Sequence, residues 1–393
     1  MIYKDAGSIP LYRLKETNEV SPFVGQLAVK AGKVSLDPAA IKSIRKYGRL
    51  VGYQSVFNEI EFINPASSIK ENYKSYNRIQ NLFNTDYWAD LIIEYLMNWA
   101  RSNIKQDKEY WIMHSSGGDS RILSALFANL RDNEGFLPNI KFVSWYPEAT
   151  QSEKILKHLG WQSEYIWNVG DEKNENLTPE NYWNNGNSYD FNDCGYITNG
   201  EIQPFGSCQS NFWKPYHTDV SGITIVMAMI GDMIMGARWW IRWMKRFWWD
   251  KGFPNYSSEM KLNIIIATSA RYNGLGLLGY IRNFRELLTP TMDFEMVNIG
   301  VQIPIICRYN DNIRIRIMEK LSPGLSKFKN ESGGWIKHTS GLMNNAYEDY
   351  FKSEFYKRYN YDDYFPNRGD TAIPFLSLAS LYDYLIKQNI QID

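Results

Sequence analysis

Apolar and polar positions change rhythm several times along the chain, and each change marks a new kind of element. Over residues 1–75, short apolar runs at 23–29, 50–57 and 60–63 are broken by Pro, Gly and charged residues. That punctuation predicts strands and turns. Then Trp88, Leu91, Ile92, Tyr95, Leu96 and Trp99 recur three and four apart, the spacing of one helix face. Asn84 or Thr85 can cap that helix, and Asp86 suits its first turn. Residues 110–113 form a short apolar run that predicts a buried strand. A turn of small residues follows, and Ile122, Leu123, Ala125, Leu126 and Phe127 then take up helical spacing. Residues 141–145 predict a second strand, 150–159 a helix, and 163–167 a third strand. Strand–helix–strand alternation at this length predicts a parallel sheet with crossover helices. The wholly apolar run 222–230 predicts a central buried strand. Helical patterns at 260–270, 275–288, 294–301, 313–321, 341–358 and 373–386 fill the last third. The expected fold is therefore α/β: a parallel sheet with flanking helices, a helical C-terminal part and a small β-rich N-terminal region.

The turn after the first strand of that sheet carries the chemistry. It reads His114-Ser115-Ser116-Gly117-Gly118-Asp119-Ser120-Arg121. A strand, a small-residue loop and a helix start together make an anion site, because unsatisfied amides and the helix dipole point at one place. Gly117 and Gly118 allow close backbone approach, and Ser115, Ser116 and Ser120 add hydroxyl donors. Asp119 is a candidate ligand for Mg2+ beside phosphates. The loop is neither a Walker A sequence nor a Rossmann fingerprint, whose glycine spacing it lacks. Ligands of parallel sheets collect beyond the carboxyl ends of the strands, which brings in Ser144, Trp145 and Tyr146. The apolar strand at 222–230 runs into Gly231-Asp232, a carboxylate at that same edge.

Residues 115–120 resemble the pyrophosphate loop, Ser-Gly-Gly-x-Asp-Ser, of the ATP pyrophosphatases, with Ser116 standing where the pattern has its first glycine. The trailing Arg121 resembles asparagine-synthetase-like proteins in particular. Gly231, Asp232 and Gly236 are similar to that family's Gly-Asp-Glu-x-x-Gly signature, with Met233 in place of glutamate. Pro290, Asp293 and Ile303-Pro304 follow the family's order, although they also read as plain helix punctuation. Lys329, in Lys327-Phe328-Lys329, partly matches a loop in which synthetases place a catalytic lysine. The resemblance implies a PP-loop fold of the adenine nucleotide alpha-hydrolase type, with ATP and Mg2+ as cofactors. It implies catalytic roles for Asp119, Asp232 and Lys329, and metal binding by Asp119 and Asp232. It implies nucleotide contacts from Ser115 to Arg121 and from Ser144, Gly231 and Asp232. Residues 48–57 and 64–66 are similar to the tail of the family's glutaminase domain. The sequence opens Met1-Ile2-Tyr3, however, and Cys194 is its first cysteine. Residues 1–75 are thus expected to be a degenerate amidotransferase-like region without glutaminase activity, and 85–393 an ATP-binding synthetase domain.

Composition narrows the partners. The 393 residues carry 43 Lys+Arg against 43 Asp+Glu, so net charge gives no reason to expect nucleic acid. The 3 cysteines and 4 histidines are scattered without metal or disulfide spacing. A reducing cytoplasmic setting fits them best. No charge-free run approaches a membrane span. The Trp-rich basic stretch 238–249 reads as a core-facing helix with a solvated basic side, and peripheral membrane contact or sugar stacking are the competing uses. The resemblance implies an ATP-dependent carbon–nitrogen ligase that adenylates a small-molecule carboxylate for attack by ammonia or an amine. A surface-glycan sugar acid is one substrate it suggests. Nitrogen would come from a partner protein, free ammonia or a bound amine. Two other readings use the same features: a non-catalytic nucleotide-binding relative, favoured by Ser116, Met233 and the partial lysine motif, and a peptide or lactam cyclase.

Overall fold

A computed structural model describes residues 9–47, 50, 54–63, 74–77, 79–136, 138–145, 149–161, 165–169, 199–201, 220–228, 235, 284–329, 348–361 and 375–393. The chain begins with β1 (Tyr12–Leu14), β2 (Val20–Ser21), α1 (Val24–Ala31), β3 (Lys33–Val34), α2 (Pro38–Tyr47) and β4 (Ile60–Phe62). β1 pairs antiparallel with both β2 and β4. Residues 23–29, expected to be a strand, form most of α1. Val24, Leu27 and Ala28 lie three and four apart and are buried, and Gly32 ends the helix at φ 70°. One buried helical face outweighs the strand preference of Val24 and Val29.

The helix expected around Trp88 is α3 (Thr85–Asn103), whose cap is Asn84: its side chain accepts from Tyr87 N. The alternation that follows is β5 (Glu109–Met113), α4 (Gly118–Glu134), β6 (Asn139–Trp145), α5 (Ala149–His158) and β7 (Tyr165–Val169). β8 (Thr224–Val226) and β9 (Glu286–Leu288) complete a five-stranded sheet in the order β7-β6-β5-β8-β9. Every neighbouring pair in it is parallel. β8 is an inner strand with all three residues buried, as its apolar run predicts. β9 corrects the end of the helix expected over 275–288, since residues 286–288 pair with β8, Thr224 opposite Glu286, while 275–283 lie outside the described residues. A run of leucines fits either state, and the open edge of β8 decides it.

Next come α6 (Phe294–Gln302), α7 (Ile305–Arg308), α8 (Asn312–Leu321), α9 (Glu354–Tyr359), α10 (Leu376–Lys387) and β10 (Gln391–Ile392). The single helix expected over 341–358 is interrupted at Ser353, whose hydroxyl accepts from Tyr356 N and starts α9 afresh. The expected elements at 238–249 and 260–270 and most of the polar stretch 170–215 lie outside the described residues. Among the described residues, no helix is long and apolar enough to cross a membrane.

Two hydrophobic cores result. One packs α3, α4, α5, α6 and α8 on the sheet, through Trp88, Ile112, Phe127, Phe142 and Ile317 among others. The second joins both ends of the chain: Tyr12, Val24 and Leu27 meet Phe355, Phe375, Leu378 and Leu381. There β10 pairs parallel with β3. Asn199 belongs to this second assembly, accepting from Val24 N at 2.8 Å and donating to Pro22 O at 2.9 Å. The sequence boundary between 75 and 85 divides the chain, whereas in the second core the described residues 348–361 and 375–393 fall with the N-terminal region.

Candidate functional site

The site is built where β5 ends, in the middle of the parallel sheet. Ladder pairing carries one residue past the strand, since His114 N donates to Val143 O at 2.8 Å. The chain then turns through Ser115, Ser116 and Gly117 into α4. Ser115 Oγ accepts from Gly117 N at 3.1 Å and lies 3.0 Å from Ser120 Oγ, so the hydroxyls first brace the loop on itself. Gly117 is the cap of α4 at φ −68° and ψ 152°. Neither Gly117 nor Gly118 adopts a positive φ, and neither does Ser116. The glycines therefore supply space rather than unusual dihedrals. A β-carbon on Gly118 would lie 2.9 Å from Cζ and 3.0 Å from Nε of Arg314.

Arg314 is the residue that the sequence did not single out. It stands in the first turn of α8 and ion-pairs with Asp119 Oδ1 at 3.1 Å, with its side chain 12% exposed and that of Asp119 17%. Asp311 stands 3.8 Å away on its other side. A signal existed: Arg314 precedes Ile317, Met318 and Leu321, all buried, by three, four and seven residues. It thus falls on the apolar face of its helix, where an arginine needs a reason to be.

Arg121 is a second buried guanidinium at the loop. Its Nε donates to Ser116 O at 2.8 Å and its Nη2 to Lys329 O at 3.0 Å. Burial lowers its pKa, and the neighbouring charge of Arg314 lowers it further. Through that second bond the backbone of Lys329 is tied to the loop, while Lys329 as a residue is exposed. Ser144 lies one residue beyond Val143, the partner of Met113, at the carboxyl end of β6. It is wholly buried, and its Oγ has no hydrogen-bond partner among the described residues.

Gly231 and Asp232 lie outside the described residues. The strand before them, β8, runs parallel beside β5 and opens its carboxyl end on the same edge. Ser115 to Arg121, Ser144 and the Lys329 backbone are thus gathered at one end of the sheet. Pro290 and Asp293 serve as punctuation: Asp293 caps α6, accepting from Glu295 N.

Beneath the loop, His114 is fully buried between Ser152 and Ser124, with Nε2 3.1 Å from Ser124 Oγ and Nδ1 against Ser152 Oγ. Ser124 Oγ donates to Arg121 O at 3.1 Å, so the ring donates from Nε2 and accepts at Nδ1. Burial, assisted by the charge on Arg121, pushes its pKa down to about 3. His114 is therefore a neutral support for the loop and no proton shuttle at neutral pH.

The arrangement suits a multiply charged anion. Two guanidiniums and the amino end of a helix converge on one loop. Among the described residues, no group of three or more His, Cys, Asp or Glu side chains is gathered as for a metal ion. Among the described residues, Asp119 would contribute to a magnesium site, beside phosphate oxygens and water, which is the usual manner of that ion. The sequence matches no protein-family model, and no curated protein matches it.

Proposed function

We propose that this chain is an ATP-dependent, AMP-forming carbon–nitrogen ligase of asparagine-synthetase-like type. A substrate carboxylate oxygen attacks the α-phosphorus of ATP; the bond from that phosphorus to the bridging oxygen breaks, and pyrophosphate leaves. Ammonia or an amine then attacks the acyl carbon, AMP departs with the former carboxylate oxygen, and the nitrogen gives up a proton to water. Chemistry of this kind depends on holding and neutralising the departing pyrophosphate. Magnesium, when bound, would supply charge neutralisation on the phosphate oxygens. The observation that carries the reading is the convergence of the Ser115–Ser120 loop, the start of α4, Asp119, Arg121 and Arg314 at the carboxyl edge of a parallel sheet. The buried hydroxyl of Ser144, next to the same edge, is a further donor for the nucleotide. The pairing of Asp119 with Arg314 also favours a second reading, a nucleotide-binding relative without turnover, because that pairing competes with metal.

Calorimetric titration with Mg·ATP and measurement of pyrophosphate release over a panel of carboxylates test both readings. Binding with carboxylate-dependent release supports the ligase. Binding without release under any carboxylate and amine supports the second, and absence of binding removes both. Asp119→Asn keeps the side-chain volume and removes the charge, so it is expected to abolish release while the circular dichroism spectrum stays that of the parent. Unchanged turnover in Asp119→Asn would take that aspartate out of the chemistry.

A further inference from the structure

Arg314 reaches the loop from a helix almost two hundred residues downstream, and three features concern what it is there for. Its guanidinium covers Gly118, the first residue of α4, and it pairs with Asp119 at 3.1 Å. Its helix is preceded by Asn310 and Asp311, both left-handed at φ 53° and 59°. Two consecutive non-glycine residues in that region are costly, and the turn they make sets where α8 begins and so where Arg314 stands. Finally, a second guanidinium, that of Arg121, stands at the same loop. Among the described residues, Arg121 is held by two carbonyls. Arg314 shares Asp119 and, at a longer 3.8 Å, the 40% exposed Asp311. Ser144, at the carboxyl end of the neighbouring strand β6, is wholly buried, and its Oγ has no hydrogen-bond partner among the described residues.

Resting on the ligase reading above, we infer that Arg314 is a phosphate ligand that exchanges partners: incoming polyphosphate takes its guanidinium from Asp119, and Asp119 thereby becomes available to the divalent cation. One ion pair is exchanged for two. Phosphate oxygens match the forked geometry of a guanidinium, whereas an ammonium offers only a point charge. The exchange couples metal and phosphate, since cation alone must compete with Arg314 for the carboxylate, and cation with phosphate need not. Arg314 is a long side chain already lying against Gly118, at the start of α4 where a phosphate group would be held.

Calorimetry on the full chain tests this with Mg·ATP, Mg·pyrophosphate and Mn2+ alone, using the parent, Arg314→Met and Arg314→Lys. Loss of a charge-assisted contact predicts that Arg314→Met binds Mg·ATP and Mg·pyrophosphate about 10- to 100-fold more weakly, with Arg314→Lys in between. Mn2+ in the absence of phosphate is expected to bind Arg314→Met more tightly than the parent, an effect that a purely structural role would not produce. Equal affinity of parent and Arg314→Met for Mg·pyrophosphate, with Mg·ATP bound by both, overturns the inference and leaves the ligase reading standing. A parent that binds neither Mg·ATP nor Mg·pyrophosphate removes the ligase reading, and the inference with it. Should Arg314→Met lose its circular dichroism spectrum, Arg314→Lys decides by the same measurements.

Discussion

Under the loop, His114 has both ring nitrogens committed to serines and no exposed surface. Its ordinary pKa of 6.5 applies to the unfolded chain, and burial brings it to about 3 in the fold. Between those values the unfolded chain holds the extra proton, so acid favours unfolding. The stabilisation is complete above about pH 6.5 and is lost as pH falls toward 3, at up to about 1.4 kcal/mol per pH unit. His114→Gln cannot take up that proton. It is expected to be less stable near neutrality yet to lose stability less steeply than the parent over the acid range, as read by urea unfolding at a series of pH values. Parallel pH profiles for the two proteins would show that His114 does not titrate in this way. At this scale the sequence was informative about Ser115 to Arg121, because small residues between a strand and a helix have few other uses. About Arg314 its signal was indirect, a spacing of three, four and seven residues to Ile317, Met318 and Leu321. In Ile313-Arg314-Ile315-Arg316 two arginines alternate with isoleucines, and positions two apart face nearly opposite ways on a helix. Arg316 reaches the exposed Asp86 and Arg314 the buried loop; the spacing marks Arg314 as inward, and only the packing of α8 brings it to Asp119.

Elements were legible where one periodicity ruled unopposed. The apolar stripe of α3 carried its own start signal in Asn84, and the structure uses it: Asn84 Oδ1 accepts from Tyr87 N at 3.0 Å. Asn84→Ala is expected to cost about 1 kcal/mol. Equilibrium urea unfolding measures it, and Asn84→Ser should recover most of the loss; equal stability of Asn84→Ala and parent would mean that solvent serves that amide as well. Elements were misread where two periodicities fit. Residues 23–29 have strand-forming valines and a helical spacing at once, and burial against the second core selects the helix. Leu287 and Leu288 suit a helix until β8 presents its edge to them. In both cases a partner distant in sequence makes the choice, which no local window contains.

At the scale of the molecule, the two cores divide labour. The sheet core holds the loop and the helices that converge on it, while the second core ties the two ends of the chain together. That joining could not be read from the N-terminal residues, because their partners come from α9, α10 and β10 at the far end. Phe355 is the centre of the junction. It is fully buried, and the rings of Tyr359, Tyr361, Phe375 and Tyr382 surround it at 5.0 to 6.0 Å between centroids. Phe355→Ala leaves a cavity that rings fixed on α9 with the residues just after it, and on α10 with its cap, cannot close, so the expected cost is about 3–5 kcal/mol. Because α1 and β1 share the core with Phe355 and the loop strand β5 does not, the loss should be local. Hydrogen exchange is expected to quicken at amides of β1, α1 and α10 and to stay close to parental values in β5 and β6. Any binding of Mg·ATP that the parent shows under the proposed reading should then survive the substitution. Uniform acceleration across both groups of amides would instead mean that the two cores open as a single cooperative unit, and that the loop depends on the junction of the chain ends.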